Sequence, residues 1–182
     1  MRAQLTALFT SCVLMVPAIA HAQQRMPHSN AGAIAGEIGV FPPQQDGMTS
    51  GLDVAGTFEH YMTSRNSLRL AVELAEPRVA RETSDSTRMI RVGGDLVHNW
   101  EGGKVHPFVG AGLGAYFLQA RDNGHSIGDT ATRFGGDILG GVEVFTTKTF
   151  AIKGEARYHI VQNWNGYNPN GLALTVGVKG YF

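Results

Sequence analysis

The sequence predicts an all-β fold: a closed eight-stranded antiparallel up-and-down transmembrane β-barrel with a charged, side-chain-filled lumen. Two patterns lead there. Apolar and polar residues alternate with a period of two, and charge is confined to one face of each alternating segment. The clearest case is Ser67-Leu68-Arg69-Leu70-Ala71-Val72-Glu73-Leu74, with Leu68, Leu70, Val72 and Leu74 on one face and Arg69, Ala71 and Glu73 on the other. Successive strand side chains point to opposite sides of the pleat, so a period of two means strand. A third observation orients the faces. The chain opens on an export signal, which favours an apolar face toward lipid and a charged face toward the lumen.

The export signal is read from Met1 and Arg2, the apolar run Leu5 to Ile19, and the small-x-small site Ala20-His21-Ala22. Residues 1–22 are therefore taken as a signal peptide, since the apolar run is too short to span a bilayer as a helix. The single cysteine, Cys12, lies inside it, and Phe9-Thr10-Ser11 is a poor lipobox. The mature chain is thus expected to have no disulfide, thiol nucleophile or cysteine metal site. Without Arg2, 14 Lys and Arg face 15 Asp and Glu, a balance that does not suggest nucleic acid. No later segment approaches the 18 consecutive apolar residues of a membrane helix. One domain is expected: a flexible lead-in at 23–30, then a barrel at 31–182.

The strands follow in order. The first, about 31–41, turns Ile34, Ile38 and Val40 out and Glu37 in. The second, about 51–61, turns Leu52, Val54, Phe58 and His60 out, with Asp53, Thr57 and Glu59 in. The third is the stretch quoted above. The fourth, about 88–100, has Ile90, Val92, Leu96 and Trp100 out and Arg91, Asp95 and Asn99 in. The fifth, about 105–117, has Val109, Ala111, Leu113 and Phe117 out, over an inner face of Phe108, Gly110, Gly112, Gly114 and Tyr116. The sixth, about 134–145, has Ile138, Val142 and Val144 out and Asp137 and Glu143 in. The seventh, about 150–160, has Phe150, Ile152, Tyr158 and Ile160 out and Lys153, Glu155, Arg157 and His159 in. The eighth, about 171–182, has Leu172, Leu174, Val176, Val178 and Phe182 out and Thr175, Lys179 and Tyr181 in.

The inner faces so defined hold eight acids (Glu37, Asp53, Glu59, Glu73, Asp95, Asp137, Glu143, Glu155) and five bases (Arg69, Arg91, Lys153, Arg157, Lys179). The outer faces hold none, as expected where a mid-membrane Arg or Lys costs about 2–4 kcal/mol. Connections at 62–66, 101–104 and 146–149 are tight; those at about 42–50, 76–87, 118–132 and 161–170 are longer and polar. Short periplasmic turns and longer outer loops are the usual asymmetry. His60, Trp100, Phe150 and Phe182 then fall at the periplasmic ends, and Phe117, Phe134 and Tyr158 at the outer ends, as an aromatic girdle.

With these features the chain resembles the eight-stranded OmpA/OmpX-type outer-membrane barrel family. The resemblance rests on His106-Pro107-Phe108-Val109-Gly110-Ala111-Gly112-Leu113-Gly114, on Gly141-Val142-Glu143-Val144-Phe145 with Gly154-Glu155-Ala156-Arg157-Tyr158, and on Gly180-Tyr181-Phe182. It implies location in the bacterial outer membrane, contact with outer-membrane lipid and lipopolysaccharide, and recognition of the last strand, with Phe182 as signal, by the barrel-assembly machinery. A monomer is expected. Activity does not follow, because such barrels host structural proteins, adhesins, conduits and enzymes.

No catalytic, metal or cofactor site is expected. Arg157-Tyr158-His159-Ile160-Val161-Gln162-Asn163, before Asn168-Pro169-Asn170-Gly171, resembles the lipid A deacylases, whose serine nucleophile follows the histidine by two. Here that position is Val161, and a hydrolase of this type needs nucleophile and base in hydrogen-bond reach. His28, His60, His98, His106, His125 and His159 show no ligand spacing. Gly110, Gly112 and Gly114 lie within a strand and open no phosphate loop; they leave lumen space for long neighbours such as Arg91. Counting back from the tight turns sets Glu59 opposite Arg69 and Glu143 opposite Lys153, predicting two equivalent ion pairs near the periplasmic end. Eight strands enclose an interior that side chains can fill. A structural, envelope or adhesin-like surface role is therefore expected over a porin-like small-solute channel, with a deacylase as the remote reading. Asn163, Trp164 and Tyr167 are candidate contact or interfacial residues of the last outer loop.

Overall fold

The computed structural model describes residues 27–80, 85–100, 103–164 and 166–182. The expected signal peptide, with the first part of the expected lead-in, lies outside them. Eight antiparallel strands run β1 (Gly32–Phe41), β2 (Met48–Tyr61), β3 (Asn66–Val79), β4 (Asp85–Asn99), β5 (Val105–Asp122), β6 (His125–Phe145), β7 (Phe150–Val161) and β8 (Gly171–Tyr181). Each pairs with its sequence neighbours, and β1 pairs with β8 to close the barrel. Closure satisfies every edge that a lipid environment would otherwise leave unpaired.

Alternation settles the faces. Arg69 is 0% exposed while Leu70 beside it is 56% exposed, and the same contrast recurs from β1 to β8. Exposed apolar side chains such as Ile34, Leu52, Val92, Leu113, Ile138, Ile152 and Val176 form an outer apolar band. Leu outside and Arg inside invert the soluble arrangement, which is the pattern of a barrel solvated by lipid.

Three connections differ from the sequence expectation. The segment 118–132 is not a loop: β5 runs on to Asp122, β6 starts at His125, and a two-residue turn joins them. Asn123 and Gly124 have φ of 47° and 78°, the consecutive left-handed pair that an Asn-Gly hairpin turn requires. Likewise β2 begins at Met48, β3 reaches Val79 and β4 starts at Asp85, so 48–50, 76–79 and 85–87 are strand. Above the hydrocarbon core the outward face is free to carry charge, and the charge segregation that marks the spanning part disappears.

The interior is layered. At the outer end Phe41, Ala75, Met89, Tyr116, Leu118, Val161 and Ala173 form a buried cluster, with Ala131 and Trp164 packed on it. Ala75, Met89 and Leu118 simply continue the inward parity of Glu73, Arg91 and Tyr116. At the periplasmic end Tyr61, Phe145 and Tyr181 close the barrel, with the Phe145 and Tyr181 rings stacked at 5.1 Å. Phe108, Val97 and Leu139 form a smaller apolar group. The charged residues lie between these layers.

Candidate functional site: the sealed lumen and the outer rim

The lumen is an ion-pair lattice built by strand parity. From the periplasmic end, the Lys179 ammonium donates to Glu59 at 2.7 Å, Glu143 at 2.8 Å and the Tyr61 hydroxyl at 2.9 Å. Glu143 also accepts from the Tyr181 hydroxyl, and Glu59 from Ser67. Arg69 bridges Glu59 at 3.1 Å and Glu155 at 2.7 Å. Lys153 contacts Glu37 at 2.5 Å and Glu155 at 2.7 Å.

Higher up, Arg157 is held by Glu155 at 2.8 Å, Asp95 at 2.9 Å and Asp137 at 2.7 Å. Arg91 meets Asp95 at 2.5 Å and Asp137 at 2.6 Å. His159 places Nε2 2.9 Å from Glu73 and Nδ1 3.1 Å from the Tyr116 hydroxyl. Twelve of the thirteen charged residues singled out in the sequence thus join one connected set. Asp53, fully buried, is the exception: neither carboxylate oxygen has a hydrogen-bond partner. Attraction between charges is strong where water is excluded, but burying them is costly, so a lattice of this kind holds only while its partners are complete.

One expected pair forms and one does not. Glu59 faces Arg69 in the β2–β3 register, and their heads meet. Glu143 faces Lys153 in the β6–β7 register, yet Glu143 is taken by Lys179 and Tyr181, while Lys153 turns to Glu37 and Glu155. Backbone register places the Cα atoms; the choice of partner is made across the lumen, where β1 and β8 also present heads. The inward aromatics read from the sequence, Phe108 and Tyr181, border these cations, while Tyr61 was not assigned to the lumen. Arg69 lies 5.2 Å from the Phe108 ring centre and Lys179 5.0 Å from that of Tyr181. Tyr61 shares the parity of Glu59, which was the available signal.

The glycine reading has a direct geometric counterpart. A Cβ on Gly112 would strike the Asp95 carboxylate, and one on Gly114 would come within 3.4 Å of the Arg91 side chain. Val161, at the deacylase serine position, is 5% exposed in the outer apolar cluster. His98 and His106 turn to Asn66 and the Gly103 carbonyl, remote from His159. In the last outer loop Trp164 packs on the apolar cluster, and burial pushes the Tyr167 phenol up to about 12.

The outer rim carries a second charged group, on the outward face. Arg88 Nε and Arg121 Nη1 both reach Glu76 Oε1, at 2.7 and 2.6 Å, and Arg121 also donates to the Gly124 carbonyl. Glu76 and Arg121 fall in segments expected to be loops, but Arg88 opens the expected fourth strand and shares the outward parity of Ile90, so the expectation that no outer face carries charge fails at that residue, where the strand leaves the hydrocarbon. The β5–β6 ribbon runs past the end of β7 to the Asn123-Gly124 turn, with β4 paired to β5 as far as Asp122: β7 begins pairing with β6 only at Gly135, so among the described residues 125–127 and 131–134 pair with β5 alone.

Solved structures similar to this one include outer-membrane barrels. Neisserial surface protein A matches with a TM-score of 0.66 at 17% identity, over 85% of this chain and 98% of that one. OprG of Pseudomonas aeruginosa matches with a TM-score of 0.65 at 10% identity, over 86% and 98%. Ail, the attachment invasion locus protein of Yersinia pestis, gives 0.59 at 10% identity, over 85% and 99%. At such identities these relatives share the fold. Comparison with curated proteins finds no match. The family model of the outer membrane protein beta-barrel domain covers residues 8–182. With the closed eight-stranded barrel and its lipid-facing apolar band, this places the protein in the bacterial outer membrane, and the chain belongs to the outer membrane protein beta-barrel domain family.

Proposed function

We propose that this protein acts through its outer surface, as a small structural or surface-interaction barrel, and not through its lumen as a wide pore. The observation that carries this reading is the filled interior. A lattice of long charged side chains lies between an apolar layer above and an aromatic layer below. A lumen cavity bordered by Glu37, Glu73, Glu155, Arg157 and Thr175 measures about 10 Å³, room for one water. Moving a solute through would require parting ion pairs that have no solvent to replace them.

The projecting β5–β6 ribbon supports the surface role. An unpaired strand edge presents backbone N–H and C=O groups that another extended chain is able to bond. A hydrolase reading finds no support at Val161, because His159 is committed to Glu73 and Tyr116 beneath the apolar layer. Single-channel recording of the purified barrel in planar bilayers tests the proposal. No steady conductance is expected; large stable openings would establish the porin-like alternative instead.

A further inference from the structure

Outward parity on β3, β4 and β5 can be followed upward past the apolar band. The register pairs Leu74 with Ile90 and Ile90 with Phe117, which makes one lipid-facing row. The next row is Glu76, Arg88 and Gln119, and the one above is Arg78, Ser86 and Arg121, where Arg78 pairs with Ser86 and Ser86 with Arg121. Rows on one face are about 7 Å apart along a strand, less along the membrane normal once strands tilt. Headgroups occupy roughly the 5–8 Å outside the hydrocarbon core on each side. Arg88, Arg121 and Arg78 therefore stand at headgroup depth, facing the membrane.

The arrangement is more than a set of exposed cations. One carboxylate oxygen, Glu76 Oε1, gathers two guanidinium groups side by side, leaving them a further set of N–H donors. Arg121 Nε is buried with no hydrogen-bond partner. The Arg88 and Arg121 side chains keep 33% and 17% of their surface open, so a ligand is able to reach them. With Arg78 exposed on the same face, three positive charges oppose one negative. The nearby acids Asp85 and Asp122 pair with each other in register on the opposite parity. Paired arginines match phosphate oxygens in a forked geometry that a single lysine does not reproduce.

We propose that Glu76, Arg88, Arg121 and Arg78 form a one-sided binding site for the phosphate of a phosphorylated glycolipid in the outer leaflet. Glu76 is a positioning residue: it holds the two guanidiniums together, and the phosphate takes their remaining donors. The lipid chains then lie along Leu74, Ile90 and Phe117, directly below. A soluble phosphate lacks that apolar anchorage.

The test uses the full barrel in mixed micelles, with retained lipid counted by native mass spectrometry. The probes are diphosphorylated lipid A, the same lipid A stripped of phosphate, and inorganic phosphate. The wild-type barrel is expected to retain diphosphorylated lipid A and to bind the stripped form and inorganic phosphate about tenfold or more weakly, the scale of one or two charge-assisted hydrogen bonds. An Arg88→Gln/Arg121→Gln variant should lose that preference, while Lys148→Gln, on an exposed turn at the other end, should keep it. Heat-modifiable gel migration of both variants checks that they fold. A folded double variant with undiminished preference for the phosphorylated lipid would overturn the proposal. So would equal retention of the stripped lipid, or inorganic phosphate bound as tightly as the lipid.

Discussion

Arg69 and Glu59 meet at 3.1 Å across the β2–β3 hairpin, with side chains 0% and 1% exposed. Breaking a buried pair by removing one partner costs about 3–5 kcal/mol, because the remaining charge is stranded. Arg69→Ala should therefore destabilise the barrel strongly, through Glu59 and through Glu155. The same change should cost less in a Glu59→Gln background. Urea unfolding of the four proteins of this double-mutant cycle, refolded into lipid vesicles, measures the coupling; additive losses would contradict the pairing.

Lys153 provides the matching test on the other hairpin. Its ammonium goes to Glu37 and Glu155, not to Glu143, its register partner. The Lys153→Met and Glu37→Gln pair should show a coupling of about 1–3 kcal/mol, the range for residues in one network. Lys153→Met and Glu143→Gln should couple less, since Glu143 answers to Lys179 and Tyr181. Equal coupling in both cycles would mean the heads are placed otherwise.

These two hairpins show how far the sequence could be read. Parity alone assigned Arg69, Glu143 and Lys153 to the lumen, because a two-residue period leaves only two faces to choose between. It could not choose Glu37 as the partner of Lys153, a residue 116 positions away, since that contact depends on barrel closure and on side-chain reach across the lumen. Above the hydrocarbon core the failure was different. Once hydrocarbon no longer constrains one face, Arg88 and Arg121 appear on outward positions, and the stretch around Arg121 reads as loop. The Asn123-Gly124 turn was a local hairpin signal able to correct that.

Gly112 should tolerate no side chain. Its Cβ would collide with the Asp95 carboxylate, which holds both Arg91 and Arg157. Overpacking of this kind costs about 1–3 kcal/mol. Gly154 has nothing within 4 Å of a Cβ. Gly112→Ala should lower the unfolding midpoint in urea, whereas Gly154→Ala should leave it nearly unchanged. Similar midpoints for the two would contradict the tight packing at Gly112.

Val161→Ser restores the deacylase-like spacing from His159 without restoring access. The position is 5% exposed in the outer apolar cluster, and both ring nitrogens of His159 are engaged. Mass spectrometry of lipid A from cells expressing the wild type or Val161→Ser should show the same acylation as control cells. Loss of an acyl chain that depends on His159 would show that the lumen opens to substrate.

Phe182 ties the last strand to the first. Its N–H donates to the Gly32 carbonyl at 2.9 Å, and its carbonyl accepts from the Gly32 N–H at 2.8 Å. The ring also lies where a Gly32 side chain would stand, within 2.5 Å of its Cβ position. Deleting Phe182 removes both bonds at the β1–β8 seam, the closure that depends on residues far apart in sequence. Forming such a contact carries the largest loop-closure entropy in the barrel, so its loss should slow closure more than it weakens the finished fold. The truncated chain should refold into vesicles more slowly, as followed by the heat-modifiable band, with an unfolding midpoint shifted only slightly. In cells it should reach the outer membrane at reduced levels. Wild-type refolding rate and abundance in the truncated chain would show that the Phe182–Gly32 pair does not guide closure.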